Sequence, residues 1–332
     1  MKILFSTALL SLITFSMNAQ QKTIGQIVQL DPHFYDLISP DAKIEALADT
    51  FAWSEGPVWV NEGKFVLFSD IPNNTIFKWK DGEGLSIFIK PSGYTGRLPY
   101  SKEPGSNGLI LNKRGELVAC EHGDRRISAM PFARGGKRTL ADNWQGKRFN
   151  SPNDIVQRSN GDYYFTDPAY GLPDREKDSS RQINVMGVYR LATDGKVTML
   201  LDEIWPNGLA FSPDEKILYV GHSNPLKPII NAYPVNADGS LGTGKVFFDF
   251  SSVKAQGLIG APDGMKVDRS GNLFSTGPKG IFVIDPSGKL LGRIETDQPT
   301  ANCAWGDDGS TLYITANNYL CRIKTKTKGA GF

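Results

Sequence analysis

The chain has 332 residues, with 37 Lys and Arg against 35 Asp and Glu, a formal net charge of +2. So even a balance, with no basic block interleaved with aromatic residues, gives no electrostatic footprint for nucleic acid, and the expected partner is a small molecule. Three cysteines, Cys120, Cys303 and Cys321, are too few for a disulfide framework in a chain of this size, and neither C-x-x-C nor a His-rich zinc spacing occurs.

The first 20 residues read as a secretory signal peptide: Lys2 as a short positive head, an apolar run from Ile3 to Phe15, and the small Ala19 before two glutamines. The mature chain is therefore expected in the periplasm or outside the cell. The run is short for a membrane anchor, and no second run of about 20 apolar residues follows, so no membrane span is expected. Export would permit a disulfide, and Cys303 and Cys321 lie close enough in sequence to be strand neighbours. The best helical candidate is DLISPDAKIEALA, from Asp36 to Ala48, which Pro40 interrupts.

From about residue 45 onward one phrase recurs, a turn containing Gly or Asp followed by alternating β-formers: NEGKFVLFSD, KRGELVACEH, SNGDYYFTDP, PDEKILYVGH, RSGNLFSTGP and DDGSTLYITA. Most copies are followed by another short strand, so the unit holds about four strands. A spacing of roughly 40 to 55 residues is that of propeller blades. The expected fold is all-β, a six-bladed β-propeller with four-stranded blades spanning residues 21–332 as one domain.

Just before these phrases the chain runs along each blade's innermost strand, which starts at the central channel. There stand WSEGPVW, SNGL, SPNDI, WPNGLAF and APDGM, which place Glu55, Asn107, Asn153, Asn207 and Asp263 at equivalent points, each beside a Gly or Asp. Equivalent blade positions converge on one axis. Carboxylate and amide oxygens gathered there would form a hard-cation site, calcium first, with zinc, manganese or magnesium as alternatives. Turn chemistry is the competing explanation, since Asn-Gly, Asn-Asp and Asp-Gly are common in loops for backbone reasons alone. Glu55 argues against it, because Glu is a poor turn residue.

SEGPVW, PNDI, PNGLAFSPDEKILYV and PDGMKVDRSGNLF together resemble the signature segments of the SMP-30/gluconolactonase/luciferin-regenerating-enzyme-like family, and the resemblance runs from about Phe51 to Arg322. It implies a divalent metal in the central channel, ligated by Glu55, Asn153, Asn207 and Asp263, and hydrolysis of sugar lactones. Asn107 is then expected to contact substrate or to reach the metal through water. One departure stands out: animal members carry a sugar-contacting Arg two residues before the N-D asparagine, where this chain has Ser151.

For the chemistry, the metal would polarise the lactone carbonyl for attack by water. Asp263 is the first candidate for the base and His122, in CEHGDRR, the second, with His222 making a similar claim. Glu121, Tyr170 and Trp205 are expected to join Asn107 around the substrate. Two polar insertions, Ser92 to Gly105 and Gly171 to Gly187, should cover the channel mouth. Two other readings remain open: an organophosphate or aryl ester hydrolase on the same metal, and a non-catalytic ligand-binding propeller. Oligomeric state is not legible.

Overall fold

The computed structural model describes residues 22–132, 135–202, 205–254, 257–258 and 260–332. The expected signal segment lies outside the described residues. Among them, the strands form six antiparallel blades around a central channel and one separate hairpin, Asn143–Trp144 with Lys147–Arg148. The innermost strands, in chain order, are Ser54–Val60, Ser106–Leu111, Ile155–Gln157, Pro206–Phe211, Met265–Val267 and Thr300–Gly306, and each blade meanders outward from there.

The recurring phrase is legible in the turns. Asn112 Oδ1 accepts from the Arg114 and Glu116 amides, and Asp268 Oδ1 accepts from those of Ser270 and Asn272. In both, a side chain at the turn's first residue holds the backbone that follows, while a glycine, Gly115 or Gly271, takes the positive φ.

The N-terminal segment closes the ring. Ile44–Ala48 pairs with Tyr319–Lys324 in register Arg322↔Glu45, so the outer edge of blade 6 comes from the start of the chain. The expected helix over Asp36–Ala48 shrinks to one turn, Phe34–Leu37, because the chain has left helical geometry before Pro40 and then runs as this strand. Blades 5 and 6 depart from the expected four strands. Gln26–Gln29 adds a fifth to blade 5 beside Leu290–Glu295, and Thr23–Ile24 adds a fifth to blade 6 beside Ile44–Ala48. Both additions cover sheet edges that would otherwise offer unpaired backbone groups.

Each junction between neighbouring blades holds one apolar cluster, filled by the alternating side chains of both sheets. Val118 and Phe165 meet between blades 2 and 3, Tyr164 and Leu218 between 3 and 4, and Tyr219 and Phe282 between 4 and 5. Leu67 packs on Leu117 between blades 1 and 2, and Phe274 on Trp305 between 5 and 6. At the closing junction Trp59 stacks on Tyr313, ring centroids 5.5 Å apart. The Trp305 indole also donates to the Val267 carbonyl at 3.0 Å, a polar tie between blades. Among the described residues no helix is long and apolar enough to cross a membrane.

The disulfide that export would permit between Cys303 and Cys321 does not form. Cys303 and Cys321 stand in register with the same residue, Ile314, from opposite sides of the strand Thr311–Ala316. Two strand spacings separate them, roughly 10 Å, beyond the reach of a disulfide. All three cysteines are free and buried. A thiol reagent should therefore find no reactive cysteine in the native protein and three after denaturation without reductant. Fewer than three would contradict this register.

Candidate active site on the propeller axis

Four innermost strands break their ladder at the same place, with register shifts at Glu55/Val58, Ser106/Leu109, Pro206/Leu209 and Thr300/Asn302. In blades 3 and 5 regular pairing begins only at Ile155 and Met265, after Asn153 and Asp263. A bulge re-aims the side chain it carries, and here it releases the oxygen-bearing residues from sheet alternation so that they face the channel.

The following glycine serves close approach and not a turn. A Cβ on Gly56, at φ +47°, would lie 2.1 Å from the Asn107 carbonyl oxygen, and one on Gly208 would lie 2.1 Å from that of Asp263. In four blades, at Gly56, Gly108, Gly208 and Gly264, the innermost strand thus presses on the next one's polar residue, which answers the turn-chemistry alternative there.

Glu55, Asn107, Asn153, Asn207 and Asp263 line one cavity of about 230 Å³. Trp53, Ile71 and Tyr170 complete its walls, while Glu103 and Arg175 enter from the two insertions. An adjoining cleft of about 370 Å³ shares Trp53, Asn207 and Asp263 and runs out over Pro278 and Gln298.

Two amides are held by their nitrogens. Asn207 Nδ2 donates to Ser223 Oγ at 3.0 Å, and that hydroxyl donates to the Pro262 carbonyl at 2.6 Å. Asn107 Nδ2 lies 3.3 Å from His122 Nε2, whose Nδ1 lies 3.2 Å from the Glu103 carbonyl. A backbone carbonyl can only accept, so Nδ1 carries the proton and Nε2 accepts from Asn107. Both amide oxygens, Asn107 Oδ1 and Asn207 Oδ1, are buried with no partner among the described residues. Such groups are costly unless something completes them.

The carboxyls tell the same story. Burial pushes Asp263 well above the usual carboxylate range, and the charges of Glu55 and Asp154 push it further. Glu55 is raised by burial and by Asp154, although Glu55 Oε2 accepts from the Gly56 amide at 2.7 Å and from Asn302 Nδ2 at 3.2 Å. Acid groups crowded in a buried channel repel one another unless a cation joins them.

Asn302 is the sixth blade's counterpart, which the sequence reading missed. Carrying the register into TANCAW would have found it. Asp154 was also passed over: its Oδ1 accepts from the Ile155 amide, and its Oδ2 is buried without a partner among the described residues.

Several expected site residues stand elsewhere. His122 is fully buried behind Asn107, and burial pushes its pKa down to about 4, so it orients an amide and is not placed to take a proton from water in the cavity. His222 sits inside blade 4, its Nε2 3.3 Å from both Asn231 Nδ2 and the Tyr233 hydroxyl. Glu121 is fully buried in blade 2, where Lys137 and Ser128 donate to one carboxylate oxygen and Arg126 to the other, each at 2.6 Å. It braces that blade and does not line the cavity.

Trp205 packs with Tyr100 against Leu172 and Met186, supporting the loop from below. Tyr170 does line the cavity, with its hydroxyl buried and unpartnered among the described residues. Ser151, where animal relatives carry Arg, donates its hydroxyl to the Pro168 carbonyl at 2.6 Å and accepts from the Gly171 amide at 3.0 Å. It pins the second insertion in place.

The chain is thus a six-bladed propeller with a polar, oxygen-lined cavity on its axis. The family model described as the SMP-30/gluconolactonase/LRE-like region matches residues 53–318, and the chain belongs to that family. A gluconolactonase of Zymomonas mobilis is 40% identical over 318 residues, which cover 94% of this chain and 89% of that protein. A solved gluconolactonase structure from Xanthomonas campestris superposes with TM-score 0.80 at 29% identity, covering 92% and 96% of the two chains. A regucalcin structure from Agrobacterium tumefaciens, described as a calcium-binding protein, shares the fold at TM-score 0.66 and 19% identity, covering 86% and 94%.

The two buried histidines should leave a trace in acid. Burial pushes both from the ordinary 6.5 down to about 4, so the unfolded chain takes up protons first as pH falls through 6.5. Stability is therefore full above pH 6.5 and is lost toward pH 4, by up to about 3 kcal/mol per histidine. His222→Gln should flatten the fall in urea midpoint between pH 7 and pH 5. An unchanged slope would mean that His222 titrates normally in the fold.

Proposed function

We propose that the chain hydrolyses sugar lactones in the axial cavity, with a divalent cation, calcium first, held by Glu55, Asn153, Asn207 and Asp263. The observation that carries this reading is the pair of buried amide oxygens, on Asn107 and Asn207, whose NH₂ groups are already spent on His122 and Ser223. Substrate class follows from the relatives named gluconolactonase and from a pentonolactonase of Haloferax volcanii that is 26% identical.

The donor set fits a hard cation. It contains two carboxylates and two amides with no sulfur or imidazole, and the carboxylates' raised proton affinity shows that the pocket favours added positive charge. Among the described residues no three His, Cys, Asp or Glu side chains gather as a metal centre, so a cation here depends on the amide oxygens. Bound there, such an ion supplies Lewis acidity toward a carbonyl oxygen.

The chain's own residues do the rest. With its NH₂ spent, Asn107 offers only an acceptor, which suits a sugar hydroxyl. Asp263 is the carboxylate assigned to take a proton from the attacking water, as it lines the same cavity. Tyr170 and Trp53 wall the cavity and keep bulk water from the reacting carbonyl. Lactones carry an activated acyl group, so modest assistance suffices.

Asn153→Ala tests the assignment on one preparation. It should lose bound calcium and lower δ-lactone turnover by about 10²–10³, the size of removing one electrostatic contact. Treatment of the wild type with a chelator should have the same effect, reversed by calcium. Retention of both metal and activity in Asn153→Ala would refute the ligand set. A wild type inert toward every lactone yet active on aryl esters or phosphotriesters would refute the substrate class.

A further inference from the structure

Two ionisable side chains line the cavity without a task in the scheme above, and both come from the insertions. Glu103 stands at the end of the first, in SKEPG, and Arg175 in the second, in LPDREK. Neither side chain has a hydrogen-bond or ion-pair partner among the described residues, whereas Glu121, the acid first expected to face substrate, has both its oxygens occupied.

Both backbones are held firmly. The Glu103 carbonyl accepts from the buried His122 ring, and its amide donates to Ser101 Oγ at 3.2 Å. The stacked rings of Tyr94 and Tyr100, 5.0 Å apart, stiffen the same loop. Arg175 takes a positive φ of 50° to open a short 3-10 turn, Arg175–Lys177, just after Leu172 is buried beneath it. Gly171 lies flat on the His122 ring, where a Cβ would meet Cγ at 2.4 Å. One buried imidazole therefore sets the position of Asn107, of Glu103 and of the segment leading to Arg175.

We propose that Glu103 is a catalytic acid that protonates the leaving ring oxygen of the lactone, and that the Arg175 guanidinium across the cavity balances the carboxylate left behind. This rests on the lactonase reading. When water adds to the carbonyl carbon, Asp263 takes one of its protons. The bond from that carbon to the ring oxygen then breaks, its electron pair stays on the oxygen, and the Glu103 proton goes to it. The products are a carboxylic acid and an alcohol, with the proton on Asp263 returned through solvent to Glu103. Burial raises Glu103 above the ordinary carboxyl value while Arg175 pulls the other way, and the net upward direction is the one a general acid needs.

The role is read by leaving group. An alkoxide needs a proton to depart, while a phenolate, with a conjugate acid near pKa 10, needs little help. The full-length chain with calcium would be assayed on δ-gluconolactone and on dihydrocoumarin, an aryl lactone. Glu103→Gln should lose about 10²–10⁴ in kcat on the first and less than about threefold on the second, and Glu103→Asp should recover part of the loss. Arg175→Met should show the same selectivity at smaller size, about tenfold. Equal losses on both substrates, or none, in variants whose melting matches the wild type would overturn the acid role while leaving the lactonase reading intact. A wild type inactive on both lactones would overturn that reading and this one with it.

Discussion

Everything in this molecule depends on how closely six backbones can meet at one axis. Regular strands with side chains on alternate faces would collide there. The chain avoids collision by breaking the ladder in four innermost strands, by starting it late in the other two, and by leaving out a Cβ where the next strand leans in, as at Gly56 and Gly208. The same break that relieves crowding turns a polar side chain toward the channel. Architecture and site are one solution to one packing problem, which is why the oxygen-bearing residues and the glycines are neighbours in sequence.

That solution carries an energetic cost. The channel collects the buried carboxyls of Glu55 and Asp154, the partly buried carboxyl of Asp263 and buried amide oxygens without partners among the described residues, and each fully buried group of this kind is worth about 1–3 kcal/mol of lost stability or more when charged. The six apolar junctions between blades offset it, with aromatic pairs such as Trp59 on Tyr313 and Phe274 on Trp305 holding neighbouring sheets. The scaffold is stable at its blade junctions so that the axis can remain polar and unsatisfied. His122 and Ser223 spend the nitrogen side of two amides and leave the oxygen side to whatever occupies the cavity.

The sequence made the repeat legible because its turns obey local rules. Asn112 and Asp268 hold their own backbone, and strands alternate where one face is buried between blades. The ring of donors was legible for five blades because a donor followed by Gly or Asp is a visible pair. It failed at Asn302, where Cys303 follows and the visible cue is lost. Glu121 and the two histidines were misjudged because nearness to an inner strand in sequence does not say which way a side chain points. Glu121 pairs across from Ser106 yet turns into its own blade, toward Arg126 and Lys137. Glu103 and Arg175 carried no local signal at all, since only the folding of two insertions brings them to the cavity. The extra strands on blades 5 and 6 were hidden for a similar reason: Gln26–Gln29 pairs with Leu290–Glu295 near the other end of the chain, and Thr23–Ile24 builds on Ile44–Ala48, which is itself held by Tyr319–Lys324.

The central claim, that oxygens from separate blades share one cation on the axis, is tested most directly by a crystal structure of the protein grown with calcium. The account predicts a single axial ion per chain, with oxygens of Glu55, Asn153, Asn207 and Asp263 at about 2.3–2.6 Å. An axis without an ion, or a calcium bound only by other side chains, would contradict it.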